Sequence, residues 1–142
     1  MDETDQHMIT ALSRNARLPV ADLARQLGLA RTTVQARLER LEARGIIKGY
    51  ALRLGSEAAP PLRATVLLQI EPRSGPEVLA RLKSLSGVVA VSTTSGRYDF
   101  LVEVAAHTTD ALDEMIDHII EARGVIRSES LVHLSTKIDR RT

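Results

Sequence analysis

Residues 20–44, VADLARQLGLARTTVQARLERLEAR, constrain the fold more than any other stretch of this chain. Val20, Leu23, Ala24 and Leu27 recur at helical spacing, and Gly28 follows where a helix end needs a residue at ease with positive φ. Leu29 fills the corner. Val34, Leu38 and Leu41 then stripe a second helix, and small Ala24 lets the two cross closely. The spacing predicts a helix-turn-helix, whose second helix has the shape to lie in a DNA major groove. Two amphipathic helices around a glycine also occur in many all-α domains. The outward face of the second helix is what singles this pair out.

That face carries Thr32, Thr33, Gln35, Ala36, Glu39, Arg40 and Ala43, with Arg31 and Arg37 flanking the apolar stripe. Guanidinium groups suit guanine edges or phosphate, the Gln amide suits adenine, and Thr or Ala methyls suit thymine. Such residues on an exposed helix can also be merely solvated. Charge argues for a partner: residues 30–54 hold six Lys or Arg against two Glu. The asymmetry runs through the whole chain. Residues 1–54 carry a net +3 and residues 55–142 a net −2, although the total of +1 alone says little. Arg31, Thr32, Thr33, Gln35, Arg37 and Arg40 are the candidate DNA contacts.

With 142 residues, 44% of them hydrophobic, the chain can bury one core or two small ones. It has no cysteine, which excludes disulfides and thiolate chemistry, and its histidines show no metal-ligand spacing. No cofactor or metal is expected. Three aromatic residues are too few for a base-stacking platform on single strands. No apolar run approaches the roughly 20 residues of a membrane span. The acidic start MDETD does not read as a signal peptide. The expectation is a soluble, cytoplasmic protein with no membrane partner.

In chain order, residues 2–14 predict a first helix. Asp2 is its cap, Asp5 lies in its first turn, and Met8, Ile9 and Leu12 are its buried stripe. After Gly45 the alternation over residues 46–54 predicts a short strand, a one-strand remnant of a wing. Residues 55–62, with Gly55 and Pro60-Pro61, have linker composition. The expected division is therefore residues 1–54 as a DNA-binding domain and residues 63–142 as a second domain. In the second, residues 64–70, 88–94, 98–104 and 125–136 read as strands. Ser74 and Glu77 are spaced as a capping box that opens one helix, and Thr108 or Thr109 opens another. The order βαββαβ predicts a ferredoxin-like α+β domain with two helices on one face of a four-stranded antiparallel sheet.

Parity then sorts the strands. Val66, Leu68, Ile70, Phe100, Val102, Val104, Val132 and Leu134 are expected to face the helices. Leu67, Gln69, Leu101, Glu103, Leu131 and His133 are expected on the open face. Three leucines of six exceed what a solvated face needs, so a second copy is expected to cover it. A twofold dimer would also offer two reading helices to a palindromic site.

Several runs in this order resemble the leucine-responsive/asparagine-synthase regulator (Lrp/AsnC) family of transcription factors. They are Asp2…Asp5…Met8-Ile9…Leu12, Leu23-Ala24…Leu27-Gly28-Leu29, Arg37-Leu38…Leu41-Glu42 and Gly45-Ile46-Ile47-Lys48-Gly49-Tyr50 in the first part. In the second they are Gly87-Val88, Thr94-Ser95-Gly96-Arg97-Tyr98-Asp99-Phe100 and Gly124-Val125. The resemblance implies sequence-specific binding of double-stranded DNA by the first domain. It implies dimerisation through the second, assembly to tetramers or octamers, and modulation by an amino acid or related metabolite. It also places Gly96, Arg97, Tyr98 and Asp99 in the effector pocket. Backbone N–H groups around Gly96 suit a carboxylate and Asp99 suits an ammonium; as a bare motif, the stretch is equally a hairpin turn.

Two departures stand out. Ala30 occupies a helix start where the family commonly has a capping Ser, and Pro60-Pro61 replaces the family's usual acidic turn and glycine. Two alternatives accompany the implied regulator. One is an architectural DNA binder without an effector. The other is a tetrapyrrole decarboxylase of the kind that resembles this family, for which His107, His118 and His133 are the available acid–base groups.

Overall fold

The computed structural model describes residues 1–141 and falls into two units, the first Met1–Arg53 with Arg140 and Arg141, the second Leu54–Asp139. Thr142, the last residue of the expected second domain, lies outside the described residues. The first unit holds α1 (Glu3–Arg14), α2 (Val20–Leu27) and α3 (Arg31–Ala43). The second holds β1 (Leu62–Ile70), α4 (Gly75–Lys83), β2 (Val88–Thr93), β3 (Phe100–Ala106), α5 (Thr109–Ile120) and β4 (Val125–Val132).

A reciprocal cap starts α1: Asp2 Oδ1 accepts the Asp5 N–H at 2.9 Å, and Asp5 Oδ2 accepts the Asp2 N–H at 3.3 Å. Met8 and Leu12 then meet Leu23, Ala24, Val34 and Leu41 in one buried cluster. Removing each of the Met, Leu and Val side chains from water stabilises the unit by about 1.5–3 kcal/mol before chain entropy is counted. At the end of α2, Gly28 adopts φ +65° and the chain reverses on two hydrogen bonds, Gly28 N–H to Arg25 O and Leu29 N–H to Ala24 O. A Cβ at φ > 0 would be strained, so glycine is what permits the corner.

The expected strand over residues 46–54 does not form. Ile46 and Ile47 both donate their N–H groups to the Leu41 carbonyl, winding off the end of α3. Residues 48–54 continue outside any helix or strand. Alternation can favour extended backbone, but a strand also needs a ladder. Among the described residues this unit contains helices alone.

The second unit is a four-stranded antiparallel sheet in the order β2-β3-β1-β4, the ferredoxin-like arrangement. Ala64, Val66, Leu68, Phe100, Val102 and Val104 are buried with Val78 and Leu82 of α4 and Leu112 and Ile119 of α5. The register puts Leu67 between Leu101 and Glu129, and Thr65 between Glu103 and Leu131, on the opposite face. The parity expected for β1 and β3 is thus the one observed.

Three local expectations are corrected. Ser74 makes no capping box: it has helical backbone angles and its hydroxyl donates to the Glu71 carbonyl at 2.6 Å. Pro76 in the first turn also lacks the N–H that a cap would serve. Second, β4 ends at Val132. One further bond, His133 N–H to Arg63 O at 2.9 Å, follows it, and the chain then departs before Leu134 pairs with Leu62 at the start of β1. Third, Leu134 therefore does not face the helices and is 96% exposed. Val132 shares the buried face of Ala64 by register, yet it is half exposed at the rim.

Candidate DNA-reading face and effector turn

The apolar stripe of α3 sets the direction of every other residue on it. With Val34 and Leu41 buried and Leu38 half-buried, Arg31, Thr32, Thr33, Gln35, Ala36, Glu39 and Arg40 are turned outward. Ala30 holds the N-cap position with extended angles and offers no side-chain hydrogen bond. The first N–H groups of α3 thus receive no bond from their N-cap side chain, the state in which a helix start attracts an anion. Gln35 Nε2 donates to Glu39 Oε1 at 2.9 Å, which orients the amide along the helix.

Arg37 and Arg40 are the two candidates held by residues of another helix. Arg37 Nη1 donates to Asp2 Oδ2 at 2.7 Å and to Asp5 Oδ1 at 3.0 Å, and its side chain is only 25% exposed. Arg40 Nη2 reaches Asp5 more loosely, at 3.4–3.5 Å, and is half exposed. Arg37 is thus turned toward Asp2 and Asp5 at the start of α1. Sequence reasoning read Asp2 and Asp5 as helix-start residues alone. Their second role spans 32–35 residues of chain, a separation that local spacing does not report.

The charges respond accordingly. The Asp5 N–H and the Arg37 guanidinium hold the Asp2 carboxyl below its usual value. Burial pushes the Asp5 carboxyl up, but Arg37 and the Asp2 N–H more than offset it, so the net shift is downward. Arg37 is raised by the same two carboxylates. Beyond α3, the Tyr50 hydroxyl donates to Glu42 at 2.8 Å. Burial and that bond push the phenol up to about 12, and the contact fastens the departing chain to the helix.

In the second unit, Gly96, Arg97, Tyr98 and Asp99 fall together in the loop between β2 and β3. Thr94 closes that loop by donating its N–H to Asp99 O at 2.9 Å and its hydroxyl to Tyr98 O at 2.7 Å. Gly96 has φ +105° and open space where a Cβ would stand. Asp99 stitches the loop to β1: its N–H donates to Leu68 O, and its Oδ2 accepts the Ile70 N–H at 2.9 Å. One carboxylate oxygen is therefore engaged within the fold. The Tyr98 hydroxyl donates to Glu129 of β4 at 2.9 Å, and this bond, aided by burial, raises the phenol. Arg97 is exposed beside them. Glu129 was not foreseen; the pairing of Leu67 with Glu129 across β1 and β4 brings it within reach.

His107, His118 and His133 lie respectively after β3, on α5 and after β4, and His133 Nε2 is hydrogen-bonded to Thr65 Oγ1 at 2.8 Å. Among the described residues no helix is long and apolar enough to cross a membrane.

Comparison with known proteins agrees with this two-part architecture. Residues 1–42 match the AsnC-type helix-turn-helix domain, and residues 63–142 match the Lrp/AsnC ligand binding domain. The HTH-type transcriptional regulator LysM of Saccharolobus solfataricus is 31% identical over 137 residues, covering 96% of this chain and 95% of that protein. LrpA of Mycobacterium tuberculosis is 27% identical and covers 96% and 91%. The solved structure of E. coli AsnC is similar with a TM-score of 0.90 at 28% identity, covering 100% of this chain and 97% of that one. A feast or famine regulatory protein from M. tuberculosis, solved in complex with L-methionine, has a TM-score of 0.87 at 29% identity, covering 99% and 97%. One helix with an exposed polar face in the first unit, a ferredoxin-like sheet in the second, and family matches to both halves lead to one assignment: this chain belongs to the Lrp/AsnC family of DNA-binding transcriptional regulators.

Proposed function

We propose that the regulator reads double-stranded DNA with the exposed N-terminal half of α3. Arg31, Thr32, Thr33 and Gln35 face base edges and nearby phosphates, and Arg40 engages the backbone. The observation that carries this reading is the division of α3 itself. Its buried stripe leaves a hydroxyl, amide and guanidinium surface outward, at a helix start with no side-chain cap. Gln35, with its amide oriented by Glu39, suits a bidentate contact to adenine. Gln35→Ala is expected to relax discrimination at one base position by about 1–3 kcal/mol while leaving the salt dependence of binding unchanged. Binding-site selection from random duplexes, repeated with the variant, measures this. An unchanged site preference overturns the assignment of Gln35.

The second unit serves as sensor and dimer former. Its open face carries half-buried Leu67 and Leu101 among Arg63, Arg127, Glu103 and Glu129, a mixture that complements itself under a twofold axis. The resulting dimer assembles further to a tetramer or octamer. An amino acid binds at the Gly96–Asp99 turn: backbone N–H groups near open Gly96 and the Arg97 side chain serve its carboxylate, and the remaining Asp99 oxygen serves its ammonium. The M. tuberculosis relative's complex with L-methionine supports that ligand class. Calorimetry with a panel of L-amino acids tests it, with Asp99→Asn as the control that loses binding; no heat with any of them favours the effector-free architectural role. The protein acts by binding rather than by catalysis, in the cytoplasm where its DNA lies.

A further inference from the structure

Asp5 is the one buried charged residue among the described residues, 2% exposed. A buried carboxylate persists where opposite charge and hydrogen bonds compensate it. Here the opposite charge comes from the reading helix, and the hydrogen bonds come from Arg37 and Arg40 together with the Asp2 N–H. Arg37 Nη1 lies between Asp5 Oδ1 at 3.0 Å and Asp2 Oδ2 at 2.7 Å, while Arg40 stands farther off at 3.4–3.5 Å. Among the described residues, the other directional bonds of α3 lie at its ends, in the backbone turns at Leu29 and Ile46 and in the Tyr50–Glu42 hydrogen bond, and its packing between them is apolar. Val34, Leu38 and Leu41 are apolar, and Ala30 contributes no cap bond. An apolar stripe resists separation, but it fixes the roll of a helix about its own axis less firmly than a hydrogen-bonded ion pair does.

We infer that Asp5, with Asp2, is a positioning residue for DNA recognition. It sets the roll of α3 through Arg37, so that Thr32, Thr33 and Gln35 present one fixed face to the bases. Arg37 is then spent inside the protein and touches no phosphate. Arg40, loosely held and half exposed, is the guanidinium that leaves Asp5 for the DNA backbone. This inference rests on the reading of α3 as the DNA-contacting helix.

The test uses the full chain and two duplexes: one recovered from a random pool by the unaltered protein, and a scrambled duplex of the same composition. Affinities for both are measured over a range of salt for the unaltered protein, Asp5→Asn, Arg37→Ala, the double variant and Arg40→Ala. Circular dichroism reports the folded fraction at the assay temperature. Arg37→Ala leaves the reciprocal cap of α1 intact, so it keeps the test decisive should Asp5→Asn unfold.

The expected result is an about tenfold fall in the selected-to-scrambled affinity ratio for Asp5→Asn and for Arg37→Ala. The salt slope stays unchanged in both, and the double variant is no worse than either single one. Arg40→Ala instead weakens both duplexes alike and flattens the slope by about 0.9. Three results overturn the inference: a slope flattened by Arg37→Ala, additive losses in the double variant, or equal weakening of both duplexes in step with a lost folded fraction. If the unaltered protein binds no duplex, the reading of α3 fails first and this inference with it. That outcome is distinguishable from variants misbehaving on a protein that does bind.

Discussion

At the scale of single residues, two features of α3 and its anchor carry separable consequences. Ala30 sits at an N-cap with φ −68° and ψ 147°, angles that a capping Ser adopts without strain. Ala30→Ser is therefore expected to stabilise the protein by about 1 kcal/mol, read as a raised urea midpoint at unchanged slope. The second is acid sensitivity. Asp2 and Asp5 both titrate below their usual 3.8 in the folded protein. A depressed carboxyl adds stability that is complete above the unfolded value and drains away as pH falls through the folded one. Arg37→Ala removes a leading cause of both depressions. The variant should be less stable at neutral pH, and its urea midpoint should converge on that of the unaltered protein as pH drops from about 6 to about 2. Parallel curves would mean that Arg37 stabilises by packing instead of by charge.

At the scale of elements, helix starts that look alike in sequence behave differently. Thr108 accepts the Ala111 N–H at 3.1 Å and caps α5, whereas the Ser74 hydroxyl at the head of α4 donates to Glu71 O. Thr108→Ala is expected to cost about 1 kcal/mol and Ser74→Ala clearly less, compared by denaturant melts of the two variants. The pair illustrates what the sequence conveys. Periodicity placed the helices and strands, because the buried stripes Met8/Leu12, Val78/Leu82 and Val66/Leu68 are local and repeated. A Ser-x-x-Glu spacing does not encode the backbone angles that decide whether a hydroxyl faces an N–H. Alternation over residues 46–54 does not supply a partner strand. The site was legible to the same degree: composition and spacing put Thr32, Thr33 and Gln35 outward. Only the three-dimensional crossing of α1 with α3 gave Arg37 its partners, 32 and 35 residues away.

At the scale of the whole molecule, recognition depends on how many reading helices arrive at once. A single α3 spans too few bases for high affinity, and two held on one twofold body convert the second contact into an intramolecular event worth about 10²–10⁴ in avidity. The face proposed to hold the copies together is open to a clean test, because it is separate from the core beneath the helices. Leu67 is half-buried there, with Glu129 directly beside it in register. In an isolated chain, Leu67→Lys can lay its ammonium against Glu129 and leave the fold intact. Across a twofold interface the same substitution brings two desolvated cations into a shared apolar patch, which is costly. Sedimentation should therefore show the unaltered protein as a dimer or larger and Leu67→Lys shifted to monomer, with unchanged circular dichroism. Affinity for a palindromic duplex should fall by the avidity factor, while affinity for a single half-site stays as it was. A variant that still sediments as a dimer would move the interface elsewhere, and an unaltered protein that is already monomeric would leave each α3 to act alone.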